Sequence, residues 1–309
     1  MPIPAALARN LSLPAIGAPM FIVSNPELVI AQCRSGIIGS FPALNARSAS
    51  ELDEWLDRIE GELDAASGAA CHAVNQITHL ANTRLEQDMM VCAQHKVPLI
   101  ITSLRAPGDV AKAVHGWGGL VFHDVISVRH AEKALEAGVD GLILVCAGAG
   151  GHGGDLNPFA LVAEVRKFFS GPLVLSGAIA TGAAILAAQA LGADFAYLGT
   201  RFIATREANA DPAYKQMLVA ARAADIVYTP CFTGVRGNFL KQSVAAAGLD
   251  PDNLPAPSGV KIGDSRKAWR DIWSAGQGVG SIDDIAPVAD VVARLKEEYS
   301  AAKVKLCLT

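Results

Sequence analysis

The chain has 309 residues, of which 51% are apolar, 18% charged and 6% aromatic, and its mean hydropathy is +0.31. This composition supports a large buried core and excludes an intrinsically disordered chain. Lys and Arg total 26 against 30 Asp and Glu, the formal net charge is −4 and no basic run occurs, so we expect no nucleic-acid partner.

Segments rich in Val, Ile, Leu and Ala alternate with amphipathic segments through the first two thirds of the chain. Alternation of this kind is typical of βα units that form a parallel sheet. The pattern predicts eight strands, at residues 13–18, 37–41, 70–74, 99–103, 120–123, 141–145, 173–176 and 195–198. It predicts seven helices between them, at 26–35, 50–60, 84–95, 107–116, 128–137, 158–169 and 183–191.

Two of these units resemble each other, because residues 134–141 and 190–195 each end a helix at a glycine and begin a strand after an aspartate. The first strand is followed by Gly-Ala-Pro-Met at 17–20, which is not a dinucleotide-binding motif. We therefore predict an α/β fold, a (β/α)8 TIM barrel. Residues 1–206 and 283–309 would form the barrel, and 207–282, where the strand rhythm stops, a smaller and mainly helical cap. That segment includes Trp269 and Trp273.

The longest stretch without a formal charge runs over residues 168–193, and its 26 residues would be long enough to cross a bilayer. Ser-Gly-Pro at 170–172, Ser-Gly at 176–177 and Thr-Gly at 181–182 divide it into a short strand and an alanine-rich helix. We therefore interpret it as a buried barrel unit and expect no membrane span.

The cysteines lie without CxxC or zinc-finger spacing, and the first residues lack the pattern of a secretory signal. We therefore expect a cytoplasmic protein with free thiols, and Cys146 in particular as a buried thiol rather than a nucleophile. A metal site is not expected, because the histidines outside the motifs below have no carboxylate or cysteine at ligand spacing. The cysteines are Cys33, Cys71, Cys92, Cys146, Cys231 and Cys307.

A glycine-rich segment, residues 147–155, directly follows the sixth predicted strand, and five of its nine residues are glycine. We interpret it as a loop that lies flat against a ligand and projects one side chain, His152. An imidazole at its ordinary pKa of about 6.5 can accept or donate a proton near neutral pH. The alternative is an ordinary surface or core histidine, and the setting favours a functional one.

Two more loops follow the last two predicted strands, at 176–182 and 199–202. In a (β/α)8 barrel these loops commonly bind phosphate through backbone N–H groups and a helix N-terminus. Thr181 or Thr200 could add a hydroxyl donor. The alternative is that small residues only permit tight turns, and the presence of both loops favours phosphate.

Other polar or soft side chains lie just beyond predicted strand ends on the same face. Asn75 could equally cap a turn, His123 could be an ordinary loop histidine, and Arg105 a solvated surface residue. These positions are Met20, Asn75, Ser103, Arg105 and His123.

Together these motifs resemble the nitronate monooxygenase family, formerly called 2-nitropropane dioxygenases. The resemblance rests on residues 17–20, Asn75, 149–153, 176–182, 198–202 and 275–278, which occur in the family's order and cover most of the chain. Flavin-dependent enoyl-ACP reductases and certain NADH:quinone reductases share much of this pattern. The resemblance therefore identifies the scaffold and the cofactor better than the reaction.

The resemblance implies an FMN-dependent barrel with the cap over the flavin and His152 as the catalytic base. The flavin ring would lie beside 18–20, the phosphate at the 176–178 and 199–200 loops, and Gln277 would close the site from the cap. The implied cofactor-binding residues are Ala18, Pro19, Met20, Asn75, His123, Gly150, Gly151, Ser176, Gly177, Ala178, Gly199, Thr200 and Gln277.

Three positions depart from the family's usual pattern. Cys146 stands where the family often has Gln, His123 where it often has Lys, and Ala178 where Gly is common. The first two departures put substrate choice and flavin tuning in question more than FMN binding, because the phosphate loops are present.

The leading hypothesis is FMN-dependent oxidation of alkyl nitronates and nitroalkanes by O2 to a carbonyl compound and nitrite, with Ser103 and Arg105 as candidate substrate anchors. The alternative is an FMN-dependent NAD(P)H oxidoreductase that acts on a quinone or an enoyl thioester. A third reading is a non-redox barrel isomerase, lyase or binding protein for a phosphorylated metabolite. The partners expected are a small-molecule substrate and O2, and the oligomeric state stays open, with a homo-oligomer among the alternatives.

Overall fold

The structure is a computed structural model that describes residues 3–66, 68–256 and 270–307. Eight parallel strands form one sheet in the order β1-β9-β8-β6-β5-β4-β3-β2. A bridge between Ile16 and Ile38 joins its two edges, and the Gly17 N–H donates to the Ile38 carbonyl at 2.8 Å. The strands are β1 (Ala15–Gly17), β2 (Gly39–Pro42), β3 (His72–Thr78), β4 (Leu99–Leu104), β5 (Leu120–Val125), β6 (Gly141–Val145), β8 (Leu173–Ser176) and β9 (Phe195–Leu198). The predicted (β/α)8 TIM barrel is confirmed.

Helices alternate with these strands and surround the barrel. Their starts follow from capping side chains: Asn25 accepts from the Leu28 N–H at 3.0 Å and Thr181 from the Ala184 N–H at 3.2 Å. In chain order they are α1 (Ala5–Ala8), α2 (Pro26–Arg34), α3 (Ala49–Asp64), α4 (Leu85–Gln94), α5 (Gly108–Gly116), α6 (Val128–Glu136), α7 (Pro158–Val165), α8 (Gly182–Leu191), α9 (Thr200–Ile203), α10 (Pro212–Ala220), α11 (Lys241–Ala246) and α12 (Val288–Cys307). All seven predicted helices are present.

The strands are buried on both faces, by the barrel interior on one side and by the helices on the other. This burial explains why the strands are continuous apolar runs. Along β4, Leu99 and Ile101 belong to the interior cluster, whereas Ile100 packs in the outer layer against the helices. Leu7 of the short helix α1, which the sequence analysis did not predict, is fully buried and joins the interior cluster.

The uncharged stretch forms β8, a connecting loop and α8, as predicted. Gly182 at the start of α8 lies directly against α12, since a Cβ there would overlap the Leu295 carbonyl oxygen and the Tyr299 nitrogen. Among the described residues, no helix combines the length and apolar character needed to cross a membrane.

The described residues of 207–256 and 270–282, which we call the cap, contain α10, α11 and two strands, β10 (Ile226–Thr229) and β11 (Gly237–Leu240). These strands pair antiparallel, and β11 pairs further with β7 (Gly151–His152), a strand within the glycine-rich loop of the barrel. The sequence pattern predicts only helices and loops in this segment, so this three-stranded sheet differs from the prediction. Trp273 stacks on Tyr214 with ring centroids 4.9 Å apart, whereas Trp269 lies outside the described residues.

Substitution of Gly182 by Ala tests the packing of α8 against α12. The new methyl group would overlap backbone atoms that cannot rotate away, so we expect a loss of about 1–3 kcal/mol in the free energy of unfolding by urea. Gly61, in α3, has open space around a Cβ. Gly61→Ala should therefore be neutral or stabilising by up to about 1 kcal/mol. A Gly182→Ala protein as stable as wild type would contradict this packing.

Candidate active site

The carboxyl end of the barrel interior carries a layer of small and polar side chains. Ile101, Phe122 and Val174 face the barrel interior. Because side chains alternate along a strand, the residue two positions after each of them also faces inward. This layer lies where the loops of a (β/α)8 barrel form the active site. Its members include Ala18, Asn75, Ser103, Asp124 and Ser176.

A hydrogen-bonded chain links three members of this layer. Asn75 Nδ2 donates to Ser103 Oγ at 2.9 Å, and Ser103 Oγ donates to Asp124 Oδ2 at 2.7 Å. The other carboxylate oxygen, Asp124 Oδ1, is inaccessible to water and has no hydrogen-bond partner among the described residues, and the same holds for the Tyr197 hydroxyl. Desolvation outweighs the Ser103 hydrogen bond and raises the pKa of Asp124 to about 7.

The cap holds the glycine-rich loop through its backbone. Gly237 and Asn238 of β11 pair with His152 and Gly151, respectively. Asn238 Nδ2 donates to the Ala149 carbonyl at 2.7 Å, and the Tyr228 hydroxyl donates to the Gly153 carbonyl at 2.8 Å. The glycine-rich loop is therefore held by the cap on both sides of His152, although its glycine content suggests a flexible segment.

His152 contacts the cap through its ring as well. Its Nε2 lies 2.8 Å from Oγ1 of Thr233, a buried residue between β10 and β11. His152 keeps an exposed surface, yet desolvation by the protein around it disfavours the imidazolium and lowers the pKa to about 4. The imidazole is therefore neutral at neutral pH and can accept a proton.

Close backbone packing against the cap accounts for several glycines that the sequence analysis assigned to ligand contact. A Cβ at Gly150 would lie 2.8 Å from the Gly276 nitrogen, and a Cβ at Gly276 would lie 2.6 Å from the Gly148 oxygen. The Gln277 N–H donates to the same Gly148 oxygen at 2.9 Å. Gln277, Gly148 and Ala178 thus lie together.

The two loops expected to bind phosphate differ in how many of their backbone N–H donors already have an acceptor in the protein. Thr181 caps α8, and Glu298 of α12 accepts the Gly182 N–H at 2.6 Å, so a carboxylate already occupies the N-terminus of α8. The Gly182 and Ala184 N–H groups at this helix end are therefore already engaged within the protein. By contrast, the N–H groups of Gly177, Ile179 and Gly199 make no backbone hydrogen bond among the described residues, and these three residues are partly exposed.

Comparison with known proteins decides the family. The sequence profile of the family described as nitronate monooxygenase matches residues 9–298. The chain belongs to the nitronate monooxygenase family. It is an oxidoreductase, and its membership supports oxidation of nitronates in general.

Individual relatives and solved structures align with nearly the whole of this chain. A nitronate monooxygenase from Paraburkholderia phytofirmans is 26% identical, and the alignment covers 94% of this chain and 93% of the relative. A FabK variant from Thermotoga maritima superposes with a TM-score of 0.82 at 26% identity, covering 97% and 96% of the two chains. A nitroalkane oxidase from Streptomyces ansochromogenes, 23% identical, shares the fold with a TM-score of 0.80 over 98% of this chain and all of its own.

In this family member, one residue expected to bind the cofactor faces away from the barrel interior. His123 faces the outer layer, where its Nδ1 lies 2.8 Å from Thr102 Oγ1 and burial lowers its pKa to about 4. Because Phe122 points into the barrel, alternation turns His123 outward and Asp124 inward. Asp124, which the sequence analysis missed, therefore occupies the position that it assigned to His123.

The structure groups some of the remaining predicted residues and leaves others apart. A Cβ at Gly199 would be 3.6 Å from both Ala18 and Met20, which places these residues side by side with room between them. Cys146 is fully buried and desolvation raises its pKa to about 12, in agreement with the expected inert thiol. Arg105 is exposed in the loop after β4.

Asp124→Asn tests the buried carboxyl. Because the pKa of Asp124 is raised in the folded state, the protein binds a proton there that the unfolded chain releases above about pH 4. Wild type should therefore lose stability relative to the variant as pH rises from about 4 to 7, by at most about 1.4 kcal/mol per pH unit. Urea denaturation at pH 5 and 8 measures this, with Asp57→Asn at an exposed site of α3 as control. A difference between Asp124→Asn and wild type that is independent of pH would contradict it.

Proposed function

We propose that this protein binds FMN and oxidises alkyl nitronates and nitroalkanes with O2 to a carbonyl compound and nitrite, with His152 as the general base. The observation that carries the proposal is the neutral imidazole of His152, fixed by the cap at the carboxyl end of the barrel. Family membership supports the general reaction, and the roles of residues are inferred from the geometry.

The residues at the barrel mouth fit the two ends of FMN. The N–H groups of Gly177, Ile179 and Gly199, which make no backbone hydrogen bond among the described residues, would bind the phosphate, with Ser176, Ala178 and the Thr200 hydroxyl beside them. The unpartnered oxygens of Asp124 and Tyr197 are buried polar atoms that a polar ring system would satisfy. Bound FMN would supply the electron acceptor for the substrate and the reductant for O2. The remaining contacts would come from Ala18, Pro19, Met20, Asn75, Gly150, Gly151 and Gln277.

His152 is needed for one substrate form and not for the other. A nitronate is already an anion, whereas a neutral nitroalkane must first lose a proton from its α-carbon. An imidazole with a pKa of about 4 is unprotonated at neutral pH, so it can take this proton without first losing one of its own. Arg105 is the proposed anchor for the nitro group or a substrate carboxylate. Ser103, also expected as an anchor, already donates its one proton to Asp124 Oδ2 and has none left for these acceptor groups.

One observation favours the alternative, an NAD(P)H oxidoreductase acting on a quinone or enoyl thioester. Large apolar side chains are exposed in the loops after three neighbouring strands: Leu80 after β3, Leu104 at the end of β4 and Ile126 after β5. This apolar rim suits a substrate larger than a short nitroalkane. Steady-state oxidation of NADH or NADPH that depends on an added quinone or enoyl thioester would support this alternative.

His152→Ala tests the base. We expect turnover of a neutral nitroalkane to fall by about 10²–10⁴, while turnover of the preformed nitronate changes little, because only the first needs proton removal. FMN content, read from the visible spectrum, should be unchanged. His130→Ala, at an exposed histidine of α6, is the matched control. Equal nitroalkane turnover in His152→Ala and wild type would remove the proposed role.

The pH dependence of nitroalkane turnover gives a second test. Since the lowered pKa leaves His152 unprotonated above about pH 5, kcat/KM should lose activity on the acid side only near pH 4–5. An acidic limb centred near 6.5, the ordinary value for histidine, would show that the ring is solvated during catalysis.

A further inference from the structure

The hydroxyl of Thr233 is shared among three partners. It donates to the Val235 carbonyl at 2.9 Å, accepts the Val235 N–H at 3.3 Å, and lies 2.8 Å from Nε2 of His152. A hydroxyl has one proton and two lone pairs. When its proton goes to the Val235 carbonyl and one lone pair to the Val235 N–H, its second lone pair faces His152.

This arrangement bears on the state of the histidine ring. With the Thr233 proton on the Val235 carbonyl, the contact at 2.8 Å takes its proton from Nε2 of His152, whereas the opposite tautomer would take the Thr233 proton away from that carbonyl. In a neutral imidazole the other nitrogen then carries the basic lone pair. Nε2 is thus the donor and Nδ1 the nitrogen that can take a proton.

We propose that Thr233 is a positioning residue that fixes His152 in its Nε2–H tautomer and in one ring orientation, so that Nδ1 is the base nitrogen. This inference rests on the proposed function, in which His152 removes the α-proton of a nitroalkane. A ring flip would exchange Nε2 with a carbon and lose the hydrogen bond, so the same contact selects both tautomer and orientation.

The backbone around the two residues supports the assignment. β7 and β11 place Gly237 opposite His152, and a Cβ at Gly237 would lie 2.9 Å from the Gly151 oxygen. The close approach of these strands keeps the cap turn that carries Thr233 next to the histidine. Thr233 itself is 3% exposed, so water does not compete freely for its hydroxyl.

The tautomer can be read directly, without turnover. In the purified wild-type holoprotein with ¹⁵N-labelled histidine, NMR should show Nε2 of His152 protonated and Nδ1 unprotonated, with the signal assigned by its loss in His152→Ala. A protonated Nδ1 with an unprotonated Nε2 would overturn the proposal whatever the reaction is.

The kinetic test compares two substitutions at Thr233. Thr233→Val keeps the shape and removes the hydroxyl, so kcat for a neutral nitroalkane should fall about tenfold, equivalent to about 1.4 kcal/mol of transition-state stabilisation. Thr233→Ser keeps the hydroxyl and should stay within about twofold of wild type. Turnover of the preformed nitronate should be unchanged in both variants.

The outcomes separate this inference from the proposed function. If His152→Ala retains nitroalkane turnover, the proposed base role fails, while the NMR result still decides the tautomer. If His152→Ala is impaired but Thr233→Val equals wild type, Thr233 does not position the base. If Thr233→Val also loses nitronate turnover or fails to fold, Thr233→Ser and the wild-type spectrum decide: a Ser variant impaired like Val, or the opposite tautomer, overturns the proposal.

Discussion

The pairing between β7 and β11 is the contact on which the arrangement of the site depends. A loop with five glycines among nine residues has little conformational preference of its own and could not hold an imidazole in place. β11 provides a backbone register for Gly151 and His152, and cap side chains 75 to 89 residues further along the chain bind the carbonyls of Gly153 and Ala149. The barrel therefore provides the floor of the site, and the cap determines where the His152 imidazole lies.

Desolvation acts on the two titratable groups of the site in opposite directions and favours the neutral form of each. It lowers the pKa of His152 to about 4 and raises that of Asp124 to about 7. At neutral pH the site thus contains an uncharged imidazole and a carboxyl whose neutral form is strongly favoured relative to an ordinary aspartate. A neutral base suits the removal of a proton from a neutral carbon acid, and the hydrogen-bonded chain from Asn75 through Ser103 keeps the Asp124 carboxyl oriented.

The sequence predicted the barrel well because its strands are buried on both faces and read as apolar runs between helices with clear caps. It also placed Ser176 correctly at a strand end, whereas Asn75 lies in the middle of β3 and Ser103 is the next-to-last residue of β4. The motif pattern predicted His123 as a site residue, but strand alternation turns Asp124 inward instead. Phe122, two residues before Asp124, faces inward and could have indicated this. The sequence missed the cap sheet and Thr233 because short strands and a contact spanning 81 residues depend on tertiary pairing, which leaves no local periodicity.

Anaerobic mixing of the FMN-loaded protein with a preformed alkyl nitronate tests the proposed function most directly. The flavin absorbance near 450 nm is followed over about one turnover. The account predicts that the nitronate bleaches the flavin and that O2 restores the absorbance. A flavin that NADH or NADPH bleaches while the nitronate leaves it oxidised would contradict the account, as would a protein that does not retain FMN.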